Sequence, residues 1–145
     1  MWLSSTGMIH YTAGAMIDGD GSGGNKENDP DFQPDTTYHL QGIALNSRTV
    51  PFIVLPPQVI KSVNPVVMGC ECRLFNGVTQ RSCVAIVGDI GPHSKLGELS
   101  IRAADLLGIP SNPRTGGESR HVIQYSVFPG EQATIDGITY PLQRA

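Results

Sequence analysis

Short β-branched apolar runs, each closed by turn formers, recur along this chain. PFIVL at residues 51–55 and VAIVG at 84–88 read as buried strands. Within VVMGCECRLFNGVTQRSCVAIVGD, residues 66–89, Asn76 and Gly77 stand between two strand-like segments and predict a hairpin with a two-residue turn. HVIQYSVF predicts a further strand, and ATIDGITYPL a small hairpin around Asp136 and Gly137. Helical spacing is convincing in one place. Over residues 98–107, Leu99, Ala103, Leu106 and Leu107 fall on one face, Gly108 suits the C-cap and Pro110 prevents continuation. With 17 Gly and 11 Pro breaking the chain into short segments, the pattern predicts a mainly β fold with one or two short helices.

A length of 145 residues suits a single domain over 1–145, with residues 1–14 expected as a peripheral strand or tail. The 39% hydrophobic and 16% charged content supplies a packed core. No apolar run approaches the roughly 20 residues that span a bilayer, and the opening MWLSSTGMIHYTAG has neither the basic start nor the unbroken apolar stretch of a signal peptide. A net charge of -3 argues against nucleic acid, whose binding rests on basic clusters, and suits a cationic partner better. A monomer is expected. Three cysteines cannot all pair within one chain. A turn at Asn76 and Gly77 places Cys70 opposite Cys83, so a bridge there stands beside the alternative that all three thiols are reduced.

Candidate chemistry concentrates in GDIGPHSKLGELSIRAADLL, residues 88–107. Asp89 ends a predicted buried strand, Gly91 and Pro92 turn the chain, and Glu98 falls in the first turn of the predicted helix. Glycoside hydrolysis needs such a pair, one carboxyl group to protonate the leaving oxygen and another to activate water or attack the anomeric carbon. An acid in a helix's first turn also serves simply as a favourable charge on the macrodipole. That field would favour an ionised Glu98 as base, leaving Asp89 as the acid, raised in pKa by burial.

These blocks resemble glycoside hydrolase family 75, the chitosanases. MIDGDGSGG is similar to the family's N-terminal Asp-rich block, DPDFQPDT with ALNSRTVPFIVLP to its next segment, and GDIGPHSKLGELSIRAADLLGI to its catalytic block. NPRTGG and YSVFPG are similar to its closing segments. Asp89 and Glu98 match the family's essential Asp and Glu. Where the family usually carries a further Asp ahead of the first acidic pair, this chain has Met16. The resemblance implies a double-psi β-barrel and an endo-acting, inverting hydrolase of β-1,4-linked glucosamine, a cationic polysaccharide. It also implies an extracellular enzyme, although this chain shows no export signal. No cofactor is expected, because two carboxylates suffice for glycoside hydrolysis. The competing expectations are a peptidoglycan-cleaving enzyme and a noncatalytic glycan-binding or virion-associated structural module, since a fold does not fix its substrate.

Asp18, Asp20, Asp29, Asp31 and Asp35 form an acidic, Gly-rich stretch suited to holding protonated amines, and Asp18 and Asp20 are taken as substrate-binding. His93, between the two candidate catalytic acids, is taken with them, its alternative being an exposed turn histidine. Asp18, Asp20 and Ser22 also alternate as in a Ca²⁺ loop, but Lys26 falls where a ligand belongs and Asp29 stands in for the bidentate Glu. No metal site is expected there. His10, His39 and His121 lack the spacing of zinc ligands. Tyr38, Tyr125 and Phe128 are expected in the core or the cleft wall.

Overall fold

The computed structural model describes residues 2–3, 7–23, 32–62, 68–91 and 95–143. In chain order the elements are β1 (Trp2–Leu3), β2 (Ile9–Asp18), β3 (His39–Leu40), β4 (Ile43–Ala44), β5 (Phe52–Leu55), α1 (Pro57–Ser62), β6 (Cys70–Asn76), β7 (Arg81–Ile90), β8 (Glu98–Ser100), α2 (Ile101–Leu107), β9 (Glu118–Ile135) and β10 (Ile138–Tyr140). Among the described residues 52% are strand and 10% helix, so the fold is mainly β, as expected.

Six strands close a barrel in the order β2, β8, β5, β7, β6, β9, with β9 pairing back onto β2. The β2–β8 and β5–β7 ladders are parallel, and the other four are antiparallel. Closure removes the unpaired edges of an open sheet. Period-two alternation fills the interior: Ile9, Tyr11, Ala13 and Ala15 from β2, Cys70, Cys72 and Leu74 from β6, and Ile123, Tyr125 and Val127 from β9 are all buried. Tyr11 and Tyr125 are cross-strand partners, their rings stacked 4.6 Å apart. Tyr38 is buried too, and Phe128 is half-buried beneath the Arg73 guanidinium.

The expected hairpins form, one with a corrected turn. Asp136 and Gly137 make the two-residue turn joining Ile135 to its partner Ile138, both with positive φ (52° and 78°), as a type I′ turn needs. Asn76, by contrast, is the last residue of β6, paired with Arg81, and the loop is Gly77–Gln80. The Asn76 side chain accepts from the N–H groups of Val78 and Thr79 (2.9 and 3.4 Å) and donates to the Leu107 carbonyl (3.0 Å), so it caps the loop instead of occupying its centre. The register moves accordingly. Cys83 lies opposite Leu74 and Cys70 opposite Gln132, which rules out the Cys70–Cys83 bridge, and all three thiols are free.

The helix expected over 98–107 begins later. Residues 98–100 are β8, and Ser100 is the N-cap of α2, its hydroxyl accepting from the Ala103 N–H at 3.2 Å. Glu98 therefore stands on a strand before the cap and outside the first turn, which holds no acid. Ile101, Ala103, Ala104 and Leu107 form the buried face, and Gly108 closes the helix in the left-handed conformation (φ 72°), as expected.

A β-bulge interrupts the ladder immediately before Asp89. Between β5 and β7, Ile53 pairs with Val87 but Val54 pairs with Asp89, so Gly88 is the extra residue. A Cβ on Gly88 would sit 2.7 Å from Leu45 Cδ1 and 2.8 Å from Phe52 Cβ and Cγ. Gly88→Ala should therefore lower stability by about 1–3 kcal/mol, the usual cost of overpacking a core. Chemical denaturation tests this, and an unchanged midpoint would show that Leu45 and Phe52 yield at no cost.

Candidate active site

The carboxylates come to one region from the ends of barrel strands. Asp18 is the last residue of β2, in register with Ser100 of β8. Glu98 pairs with Met16 on one side and Val54 on the other, and Val54 pairs in turn with Asp89. Glu98 and Asp89 thus flank β5 on neighbouring strands.

Buried hydroxyls fasten these strand ends. Ser47 Oγ donates to the Asp18 carbonyl (2.5 Å) and accepts from the Ile101 N–H (2.9 Å), joining the end of β2 to the start of α2. Ser100 Oγ donates to the Val50 carbonyl (2.8 Å) and accepts from the Phe52 N–H (3.0 Å) as well as capping α2. Gly97, with φ 101°, lies where a Cβ would come within 2.9 Å of the Gly14 carbonyl oxygen, so the approach to Glu98 requires glycine.

Asp89 is held by one oxygen. Its Oδ1 accepts from the Thr37 hydroxyl (2.8 Å), the Thr37 N–H (3.0 Å) and the Ile90 N–H (2.9 Å). The Gly88 carbonyl at the bulge accepts instead from the Tyr38 N–H (3.0 Å), drawing residues 37 and 38 over the end of β7. Asp18 Oδ1 accepts from the Asp20 N–H (2.8 Å), and Asp20 Oδ1 from the Gln33 N–H (2.8 Å). One oxygen from each of Asp18, Asp20 and Asp89 lies within 4.8 Å of the others.

Asp18 and Asp89 are only 9% and 8% exposed, so neither can ionise at the usual cost. Burial pushes the Asp18 carboxyl up to about 8, helped by the charges of Asp20, Asp89 and Glu98 and opposed by the Asp20 N–H. Burial also raises Asp89, against the lowering effect of its Thr37 and Ile90 hydrogen bonds, and Asp35 adds like charge. Asp35 itself is exposed and held low by its hydrogen bond from His39. Glu98 is half-buried.

Of the residues singled out in the sequence, Asp18, Asp20 and Asp89 thus gather together, and the charge of Glu98 reaches Asp18. His93, Asp29 and Asp31 lie outside the described residues. Asp18, Asp20 and Asp89 are the described side chains close enough to share a cation. Of the other expected calcium-loop ligands, Ser22 turns its hydroxyl to the Ala44 carbonyl (3.3 Å) and Asp29 is not described. Thr37, Ser47 and Ser100 build the site without having stood out in the sequence as site residues. Only Ser100 carried a local signal, as a possible N-cap ahead of an apolar helical face.

Among the described residues no helix is long and apolar enough to cross a membrane. A family model described as fungal chitosanase of glycosyl hydrolase group 75 matches residues 16–139, which include all four carboxylates. No curated protein matched the chain.

Proposed function

The chain belongs to the chitosanases of glycosyl hydrolase group 75 and is a glycoside hydrolase of that family; from this premise we propose that it cleaves β-1,4 glucosamine linkages within chitosan by general acid/base catalysis, with inversion. The observation that carries the proposal is the placement of Asp89 and Glu98 on strands flanking Val54, beside two further carboxylates. Asp89 is the acid. It is the more buried of the pair, and burial favours the protonated form that must be delivered to a leaving group. Glu98 is the base. Because it precedes the helix cap, that role does not rest on a place in the helix's first turn but on its greater exposure and its neighbouring strand.

In the reaction the bond from C1 to the glycosidic oxygen breaks as that oxygen takes the proton of Asp89. A water oxygen bonds C1 from the opposite face and gives its proton to Glu98. The products are two shorter chains, and proton exchange with solvent resets both carboxyl groups. Asp18 and Asp20 form the amine subsite: a glucosamine ammonium close to Asp18 favours its charged form and so offsets part of the cost of ionising it. Two carboxyl groups suffice for the chemistry, so the proposed reaction requires no cofactor.

Incubation with chitosan, chitin and peptidoglycan in parallel tests the substrate, with new reducing ends expected from chitosan. Proton NMR early in the reaction tests the stereochemistry. An inverting site holds its carboxyl groups about 6.5–9.5 Å apart to admit the water, against about 5–5.5 Å for a retaining one. Inversion, which the family resemblance implies, predicts that the α-anomer appears first. Initial β-anomer would require one of the carboxylates to act as a nucleophile, or the substrate to assist, and would overturn the roles assigned to Asp89 and Glu98.

A further inference from the structure

We propose that Thr37 is a positioning residue for the reaction, occupying Oδ1 of Asp89 with its hydroxyl and its N–H so that Oδ2 alone carries the transferred proton. The inference rests on the acid role proposed for Asp89 and extends it to a particular oxygen.

A carboxyl oxygen offers two lone pairs to donors. Oδ1 of Asp89 already faces three, the Thr37 hydroxyl, the Thr37 N–H and the Ile90 N–H, at 2.8–3.0 Å. A proton placed on Oδ1 would point at hydrogens already there and would deprive at least one donor of its acceptor. Oδ2 has no such competition from these groups. The carboxyl plane is also fixed, because a rotation that exchanged the two oxygens would break all three hydrogen bonds at once.

The fold keeps Thr37 in place independently of its side chain. Gly88, set aside from the β5–β7 ladder by the bulge, accepts from the Tyr38 N–H, and the Thr36 hydroxyl donates to the Tyr38 carbonyl (2.7 Å) while accepting from the Leu45 N–H (3.0 Å). Thr37 itself is exposed, so its side chain contributes little to core packing. An exposed threonine whose hydroxyl reaches a buried carboxyl group is better suited to holding that group than to supporting the barrel.

Thr37→Val keeps the branched shape and removes the hydroxyl, whereas Thr37→Ser keeps the hydroxyl and removes the methyl group. Both should melt close to the wild type. For Thr37→Val, kcat on chitosan should fall by about 10-fold or more, on the scale of mispositioning a general acid, with KM changed by less than about 2-fold. The groups facing Asp89 are Asp18, Asp20 and Asp35, all acidic, together with the Thr37 and Ile90 donors. Losing a donor to the carboxylate disfavours the charged form, so the limb of the pH–rate profile belonging to Asp89 should move to higher pH. Thr37→Ser should restore both kcat and the limb.

Wild-type kcat with an unmoved profile in Thr37→Val would overturn the inference, as would a Thr37→Ser variant as impaired as Thr37→Val, since the methyl group would then be the part that matters. An Asp89→Asn variant assayed alongside separates the two levels. If that variant stays active, the acid role of Asp89 fails. If it is inactive while Thr37→Val is unaffected, only the positioning role fails.

Discussion

Asp89→Asn and Glu98→Gln should each reduce hydrolysis of chitosan by at least about 10²-fold, the scale on which a general acid or base contributes. Asparagine at 89 can keep its Oδ1 as acceptor for the Thr37 and Ile90 donors while replacing the reactive oxygen with an amide nitrogen that cannot deliver a proton at useful pH. The fold is therefore retained and the chemistry lost. Glutamine at 98 preserves shape on a short strand whose pairing with Met16 and Val54 uses the backbone alone. Reducing-end assays alongside thermal melts separate lost catalysis from lost structure. Near wild-type turnover in either variant would remove that residue from the catalytic pair.

The mainly β architecture and several of its strands were legible in the sequence because β-branched runs, turn formers and period-two burial act locally. β5, β7 and the Asp136–Gly137 hairpin arise from those signals. Two local signals misled for identifiable reasons. Asn76–Gly77 has turn chemistry, but the Asn76 side chain satisfies the backbone of the adjoining loop and reaches the Leu107 carbonyl, a partner contributed by α2 from a distant part of the chain. At residues 98–107 the helical spacing extends through Leu99, whereas backbone pairing with β2 and β5 claims residues 98–100 as a strand and leaves Ser100 to start the helix.

The site divides in the same way. Asp89 and Glu98 stood out by their spacing in one block and by resemblance to a family. Their convergence with Asp18 and Asp20 depends on β2 pairing in parallel with β8, a long-range contact without a local signature. Thr37 was illegible for the same reason. Its hydroxyl reaches Asp89 because a bulge at Gly88 frees a carbonyl for Tyr38, and nothing in the residues around Thr37 announces that connection.

Asp18→Asn should make the protein more stable at pH 8, by on the order of a few kcal/mol, while changing stability little at pH 4. In the folded protein burial and the neighbouring Asp20, Asp89 and Glu98 lift the Asp18 carboxyl from 3.8 to about 8. Between those values the folded state binds a proton that the unfolded chain has released. Stability therefore falls as pH rises through this window, and the contribution present below about pH 4 is gone above about pH 8. Asparagine remains neutral throughout and can still accept the Asp20 N–H, so it removes the penalty without leaving that N–H unpaired. Asp89, also raised, contributes a slope of the same sign that the variant keeps. Denaturant midpoints for both proteins from pH 4 to 9 should diverge steadily, the wild type losing stability faster. Parallel curves would mean that Asp18 ionises in the folded state as readily as in the unfolded chain, and the acidic cluster would then have to be solvated far more than its burial implies.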